Sequence, residues 1–484
     1  MSQLGGHSHA HAFSMLNARR REGLSLVTRR GMVKSGMAGM AGLTLPALLR
    51  LRADAAQTGK PVPSGKSVIL LWMAGGPSQI DTWDPKPDRP YENRGPFGVT
   101  STKLPGTFIC EHLPKQAAML DHFTIIRSVD CVKSNHEPNK VLQTGHRQAA
   151  PRVNAKGEMY PAIGSSVAKY HGANQTGVPP YIAFQRSRSH VAYGGYLGQA
   201  YDPFIAERAA KLPIYDLIGN DTGNVSGAEM FQSDPVLTVD RIHQRRTILQ
   251  QLDSMRRGLD QSGTMEAMDP FTQQAVDMIV GQRVQAALDL GKEHQSVRDR
   301  YGKHLWCQKA LLARRLVEAG AAFVTIDLSY HTSSGTWDTH GDNLPPYGGI
   351  KKGLGPLLPL FDHLITTLVD DLHDRGLADD VLVIAMGEFG RTPLIGTQGS
   401  TDGRNHWPIV MSMCLAGGGL RHGQVIGATD REGGQISERP VTPGDLAATI
   451  YHHFGIPLDT TYNDHQGRPH YIVQQGGRPI RELI

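Results

Sequence analysis

The 484-residue chain carries 50 Lys+Arg against 45 Asp+Glu, a formal charge of +5, and 39% hydrophobic residues with 55 glycines. This mixture is globular and loop-rich, long enough for one large α/β domain with insertions or for two or three smaller domains. The positive excess belongs to the N-terminus, where Arg19, Arg20, Arg21, Arg29 and Arg30 fall within twelve residues; no basic stripe follows, so nucleic acid is not an expected partner.

In chain order the first element is an address. Thr28-Arg29-Arg30-Gly31-Met32-Val33-Lys34 resembles a twin-arginine export signal, followed by a Gly/Met/Ala-rich stretch to Leu49 and a cleavage-like Ala53-Asp54-Ala55. The expectation is a signal over residues 1–56 and a periplasmic or extracytoplasmic chain over 57–484. No later run is apolar for long enough to span a bilayer. The oligomeric state is not legible. Cys110, Cys131, Cys307 and Cys414 lack the short paired spacing of a cysteine zinc site. Cys110 and Cys131 are open to two readings, a disulfide or buried free thiols.

The apolar run Ser67–Ala74 reads as the first strand and leads into Gly75-Gly76-Pro77-Ser78-Gln79-Ile80-Asp81. Two glycines permit a sharp turn, and Asp81 either reaches a metal at the sheet edge or closes the turn with its own carboxylate. Phe123–Ile126 and Tyr181–Phe184 are further short strands. Around residues 234–318 the pattern becomes helical and rich in Arg and Gln, which predicts a helical insertion or cap with solvated charged faces.

Ala322–Ile326 reads as a buried strand, with Trp337-Asp338-Thr339-His340-Gly341-Asp342 beyond it. Asp338 and His340, one residue apart, aim to one side of an extended or loop backbone, and a carboxylate with a neutral imidazole suits zinc, manganese or iron better than calcium or magnesium. Asp342 is a further ligand or a partner that holds the imidazole. A solvated loop is the plainer alternative.

Leu360, Leu364, Leu368 and Leu372, with Phe361 and Ile365, form a stripe that predicts a sheet-packing helix ended by Gly376. The strand Val381–Met386 follows, then Gly387-Glu388-Phe389-Gly390-Arg391. Arg391 pairs with Glu388 or grips an anionic substrate through its guanidinium fork. Gly403-Arg404-Asn405-His406-Trp407 sits ahead of Ile409-Val410-Met411, so two polar loops besides the one at Asp338 follow apolar runs while this one precedes a run. Helix alternating with strand predicts an α/β fold, a doubly wound mostly parallel sheet, with these loops meeting at one edge.

Taken in order, Gly-Gly-Pro-Ser-Gln-Ile-Asp, Ser134-Asn135-His136, Thr144-Gly145-His146-Arg147, Trp-Asp-Thr-His, Gly-Glu-Phe-Gly-Arg-Thr-Pro and Gly-Arg-Asn-His resemble the secreted bacterial family known as domain of unknown function 1501. That family is in turn similar to the alkaline phosphatase and sulfatase superfamily. The resemblance implies an alkaline-phosphatase-like sheet and a metal site of one or two divalent transition ions, zinc or manganese. Its ligands would be Asp81, Asp338, His340, Glu388 and His406. The superfamily's nucleophile position falls on Asn135, which is no nucleophile; Ser134 is adjacent, and His136 would bind metal or substrate. Phe389 stands where a second-metal imidazole would be, and the formylglycine signature is absent around Cys131. The implied activity is hydrolysis of phosphate or sulfate esters, with Arg391 and His136 on the anionic ester or glycan. The alternative is a non-catalytic, metal-stabilised exported protein that binds sulfated or phosphorylated glycans.

Overall fold

The computed structural model describes residues 65–136, 140–151, 154–206, 283–329, 336–341, 348–396, 399–474 and 476–484, with the backbone of Leu212–Tyr215 and Asp221–Ser226. The export signal, Asp342 and residues 234–282 of the helical stretch lie outside the described residues. So do the His and Ser/Thr side chains of 331–335.

Eight strands make the central sheet: β1 Ser67–Trp72, β2 Phe123–Val129, β3 Tyr181–Phe184, β4 Phe204–Ile205, β5 Phe323–Asp327, β6 Val381–Met386, β7 Met411–Gly417 and β8 Gln424–Ile426. Their order is β8-β2-β7-β6-β1-β5-β3-β4. Every neighbouring pair is parallel except the two that involve β7. The fold is therefore α/β with a mostly parallel sheet.

Strand β1 is buried along its whole length, and its side chains divide by parity. Ile69 and Leu71 enter one apolar core, while Val68, Leu70 and Trp72 enter the other. This is the signature of a strand covered on both faces, where period two supplies two cores instead of a wet and a dry side. Helices α2 (Leu305–Ala319) and α3 (Gly355–Asp374) cover the first face, and α1 (Ile163–Tyr170) and α4 (Pro443–Phe454) the second. The sheet is doubly wound.

Helix α3 carries the expected stripe, with Leu357, Phe361, Leu364, Ile365, Leu368 and Leu372 buried. Each such side chain contributes roughly 1.5–3 kcal/mol by leaving water. The helix turns off where Gly376 adopts a φ of 70° and its N–H reaches His373 O at 3.0 Å. Helix α2 packs into the domain core through Trp306, Leu311 and Leu316, and the chain passes directly into β5.

Strand direction explains why one site loop precedes its strand. Strands β1, β5 and β6 run parallel, so their carboxyl ends share an edge, and β2 runs the same way because β7 is antiparallel to both β6 and β2. The amino end of β7 therefore lies at that edge too, which brings the His406 loop beside the loops that follow β1, β2 and β6. Gly390–Arg391 pairs antiparallel with His406–Trp407, setting Arg391 opposite His406.

Candidate metal centre

Three ligand atoms, one each from His136, Asp338 and His406, lie within 4.8 Å of one another. His136 Nε2 is 3.1 Å from Asp338 Oδ2 and 2.7 Å from His406 Nε2, and His406 Nε2 is 3.9 Å from Asp338 Oδ2. His136 and Asp338 are buried, while the His406 side chain is 33% exposed. The cluster is closed on the protein side and open past His406.

Local backbone builds it. Ser134 N–H closes a turn on Cys131 O at 2.9 Å, with Lys133 at a φ of 75°, and this turn presents Ser134, Asn135 and His136 at the end of β2. Trp337 N–H donates to Ala74 O at 3.0 Å, which binds the Asp338 loop to the end of β1. Gly75 makes the contact possible: a Cβ there would stand 2.3 Å from Asp338 N, and its φ is 116°.

Glu388 stands behind the cluster. Its Oε1 accepts from His136 Nδ1 at 2.6 Å and from Gly75 N–H at 2.9 Å. With Nδ1 donating to Glu388, His136 Nε2 presents a lone pair to the Asp338 carboxylate, and acceptors that converge in this way need a cation or a proton between them. The donor set fits a divalent transition ion, with three protein ligands and an open side.

Asp338 is the electrostatic centre. Burial disfavours its charged form, but Arg391 and the imidazoles of His136, His340 and His406 outweigh that and hold the carboxyl well below its usual range. Arg391 Nη1 lies 2.7 Å from Asp338 Oδ1, and His340 Nδ1 is in close contact with the same oxygen. Burial opposes a charged His136, yet Asp338 and Glu388 prevail and its pKa is raised. Burial lowers His406 to about 4, against the pull of Asp338 and with Arg391 and His136 adding to the fall. His406 is therefore a ready ligand at neutral pH, whereas the neighbouring carboxylates favour a proton on His136.

The predicted residues thus separate into groups. His136, Asp338 and His406 come together; His340 touches Asp338, and its ring centroid is 4.4 Å from that of His406. The structure does not bring Asp81 into the cluster: Arg404 Nε donates to Asp81 Oδ2 at 2.7 Å and Nη2 to Oδ1 at 3.3 Å, while Ser78 Oγ donates to Oδ2 at 2.6 Å. Arg391 pairs with Asp338 and not with Glu388. Its guanidinium is fully buried and also donates to Gly75 O, Gly76 O and Arg404 O. Phe389 lies over the cluster, with its ring centroid 4.7 Å from that of His136 and 4.9 Å from that of His406. Ser134 Oγ is buried with no hydrogen-bond partner among the described residues, and Asn135 Oδ1 accepts from His136 N–H at 2.9 Å. All four cysteines are free and buried, so the disulfide reading of Cys110 and Cys131 does not hold.

One pair at this edge escaped the sequence reading. Asp327 ends β5 and accepts from His190 Nδ1 at 2.9 Å and from Arg186 N–H at 2.8 Å, all but fully buried. A carboxylate closing an apolar strand was the available signal; nothing in the sequence near His190 pointed back to it.

Fold and cluster define an α/β protein with an imidazole–carboxylate cluster, able to hold a metal ion, at the carboxyl edge of its sheet. The chain belongs to the family described as protein of unknown function (DUF1501), whose model matches residues 65–484. No curated protein matches it. Among solved structures it is similar to the PsFucS1 sulfatase from Pseudoalteromonas sp., at 12% identity and a TM-score of 0.36 over 84% of this chain and 70% of that one. It is also similar to the phosphonate monoester hydrolase SpPMH from Silicibacter pomeroyi, at 12% identity and a TM-score of 0.35 over 86% and 76%. Likenesses of this size carry no argument about chemistry, and the fold rests on the strand order and register above. Among the described residues no helix is long and apolar enough to cross a membrane.

Proposed function

We propose that the protein is a metal-dependent hydrolase of phosphate or sulfate esters, exported through a twin-arginine signal and holding one zinc or manganese ion on His136, Asp338 and His406. The observation that carries the reading is the convergence of three ligand atoms within 4.8 Å, with only the His406 side exposed. A bound divalent ion supplies Lewis acidity to an ester oxygen and to water.

The chain's own groups do the rest. Glu388, itself held by Gly75 N–H, favours the His136 tautomer whose Nε2 would be free to bind an ion. Arg391, 2.7 Å from Asp338 Oδ1, favours the charged form of that carboxylate. Phe389 excludes water from one flank of the imidazoles. Ser134, two residues before His136, is the side chain proposed for covalent attack, because its buried hydroxyl makes no competing hydrogen bond among the described residues.

A second reading, a metal-stabilised protein that binds sulfated or phosphorylated glycans, is favoured by one observation: the Arg391 fork is consumed by Asp338 and three carbonyls, so this guanidinium does not present itself to an ester anion. The experiment is turnover of phosphate and sulfate monoesters by protein loaded with zinc or manganese, beside Ser134→Ala. Loss of turnover in Ser134→Ala with metal content retained assigns the nucleophile; unchanged turnover assigns attack to water. No turnover by the fully loaded parent protein leaves the binding reading.

A further inference from the structure

A cavity of about 550 Å³ is lined by Lys140, Glu158, Arg188, Tyr193, Gln199 and Asp202, among others. Its size falls within the roughly 300–1,000 Å³ of small-molecule sites. Lys140 begins the short helix Lys140–Thr144, where Gln143 donates to His190 O at 2.7 Å and accepts from Ala192 N–H at 2.7 Å. His190 in turn rests on Asp327 at the carboxyl end of β5. Lys140 is also four residues beyond His136 in sequence, so their Cα atoms are no more than about 15 Å apart.

Lys140 is the unusual member of the lining. It is 9% exposed, yet its ammonium makes no ion pair among the described residues. Burial disfavours its charge, and Glu158 and Asp202 offset this only from across the cavity, so an incoming anion supplies a direct contact that neither makes. Arg188 adds a second cation whose guanidinium lies 4.3 Å above the Tyr193 ring, so it is already oriented before any ligand arrives. Glu158 and Asp202 line the same space, and their carboxylates can accept from hydroxyl donors. Asp202 is held in place by Gly194 N–H at 2.8 Å.

We propose that this cavity is a saccharide subsite that takes a sugar unit bearing a single sulfate or phosphate, with the anionic group on Lys140 and Arg188 and the hydroxyls on Glu158, Asp202 and Gln199. The inference rests on the hydrolase or glycan-binding reading for its role: the subsite holds one sugar unit of an anionic glycan while a neighbouring unit reaches the metal centre. Binding energy taken here, away from the reacting ester, positions the substrate.

The test is titration calorimetry of the whole metal-loaded protein with glucose 6-sulfate, and with glucose and glycine as reference probes. Glucose 6-sulfate is expected to bind at least about tenfold more tightly than glucose, and Lys140→Met to weaken it by about tenfold or more, the usual effect of losing a charged hydrogen bond. Arg188→Gln, a change at an exposed residue that leaves folding intact, is expected to weaken it several-fold even where Lys140→Met is too unstable to measure. Equal binding of glucose and glucose 6-sulfate, tighter binding of the zwitterion glycine, or wild-type affinity in both variants overturns the subsite. Lys140-dependent binding without any ester turnover sustains the subsite while the hydrolase reading fails. Ester turnover with Lys140→Met and Arg188→Gln binding like the parent does the reverse.

Discussion

Replacing Arg391 by Met separates two roles for this side chain, a clamp on an anionic substrate and a counter-charge to Asp338. The guanidinium is fully buried and sits 2.7 Å from an equally buried Asp338 carboxylate. Met keeps most of the volume and removes the charge, which leaves Asp338 desolvated without its strongest partner. Breaking a buried pair in this way costs about 3–5 kcal/mol. The carbonyls of Gly75, Gly76 and Arg404 also lose their donor, at roughly 1–3 kcal/mol for each one left buried and unmet, though such terms do not add. The expected destabilisation of the metal-free protein is therefore at least about 3 kcal/mol, read as a lower denaturant midpoint at unchanged slope. Asp338→Asn in the same background removes the stranded charge and should recover part of the loss. A saturating divalent ion should stabilise Arg391→Met more than the parent, because the ion then supplies the missing positive charge. A stability within about 0.5 kcal/mol of the parent, with the change confined to KM, refutes the counter-charge role and restores the substrate clamp.

Three further outcomes follow from the same geometry. Elemental analysis of purified protein should give about one equivalent of transition metal, largely lost in His136→Ala and His406→Ala, while Glu388→Gln weakens the metal by about 10–100-fold through the orientation of His136; full metal content in both His variants would refute the assignment. Metal affinity should rise with pH through the raised His136 pKa: below it the ion must displace a proton, above it none, whereas His406, at about 4, adds no slope near neutrality. Calorimetry in buffers of different ionisation enthalpy reads this as proton release on the acid side that fades as pH rises, and release that grew with pH would contradict it. Gly75→Ala places a Cβ 2.3 Å from Asp338 N at a φ of 116°, so it should cost about 1–3 kcal/mol in backbone strain alone and lower metal affinity by moving the Asp338 loop; a variant of parental stability and affinity would show that the loop yields freely.

Sequence by itself determined the elements and the loops that matter. Val381–Met386 and the α3 stripe were legible because a strand buried on both faces is apolar at every position and a sheet-packing helix repeats at helical spacing, both of which are local properties of the chain. The loops at Gly75, Asp338, Glu388 and His406 were legible as a group because each adjoins such a strand. Tertiary structure alone decided which atoms meet. Asp81 and Arg404 are 323 residues apart and His136 and Glu388 are 252 apart, and no local pattern says that the first carboxylate is neutralised by a guanidinium while the second orients an imidazole. His190 and Asp327 were missed for the same reason. The deciding factor is strand order and direction: β7 runs against β6 and β2, and this reversal carries His406 to the edge where Asp338 and His136 wait. Hydrophobic pattern specifies that a strand exists and is covered, but pairing partner and direction arise from packing across hundreds of residues, and the chemistry of this centre depends on them.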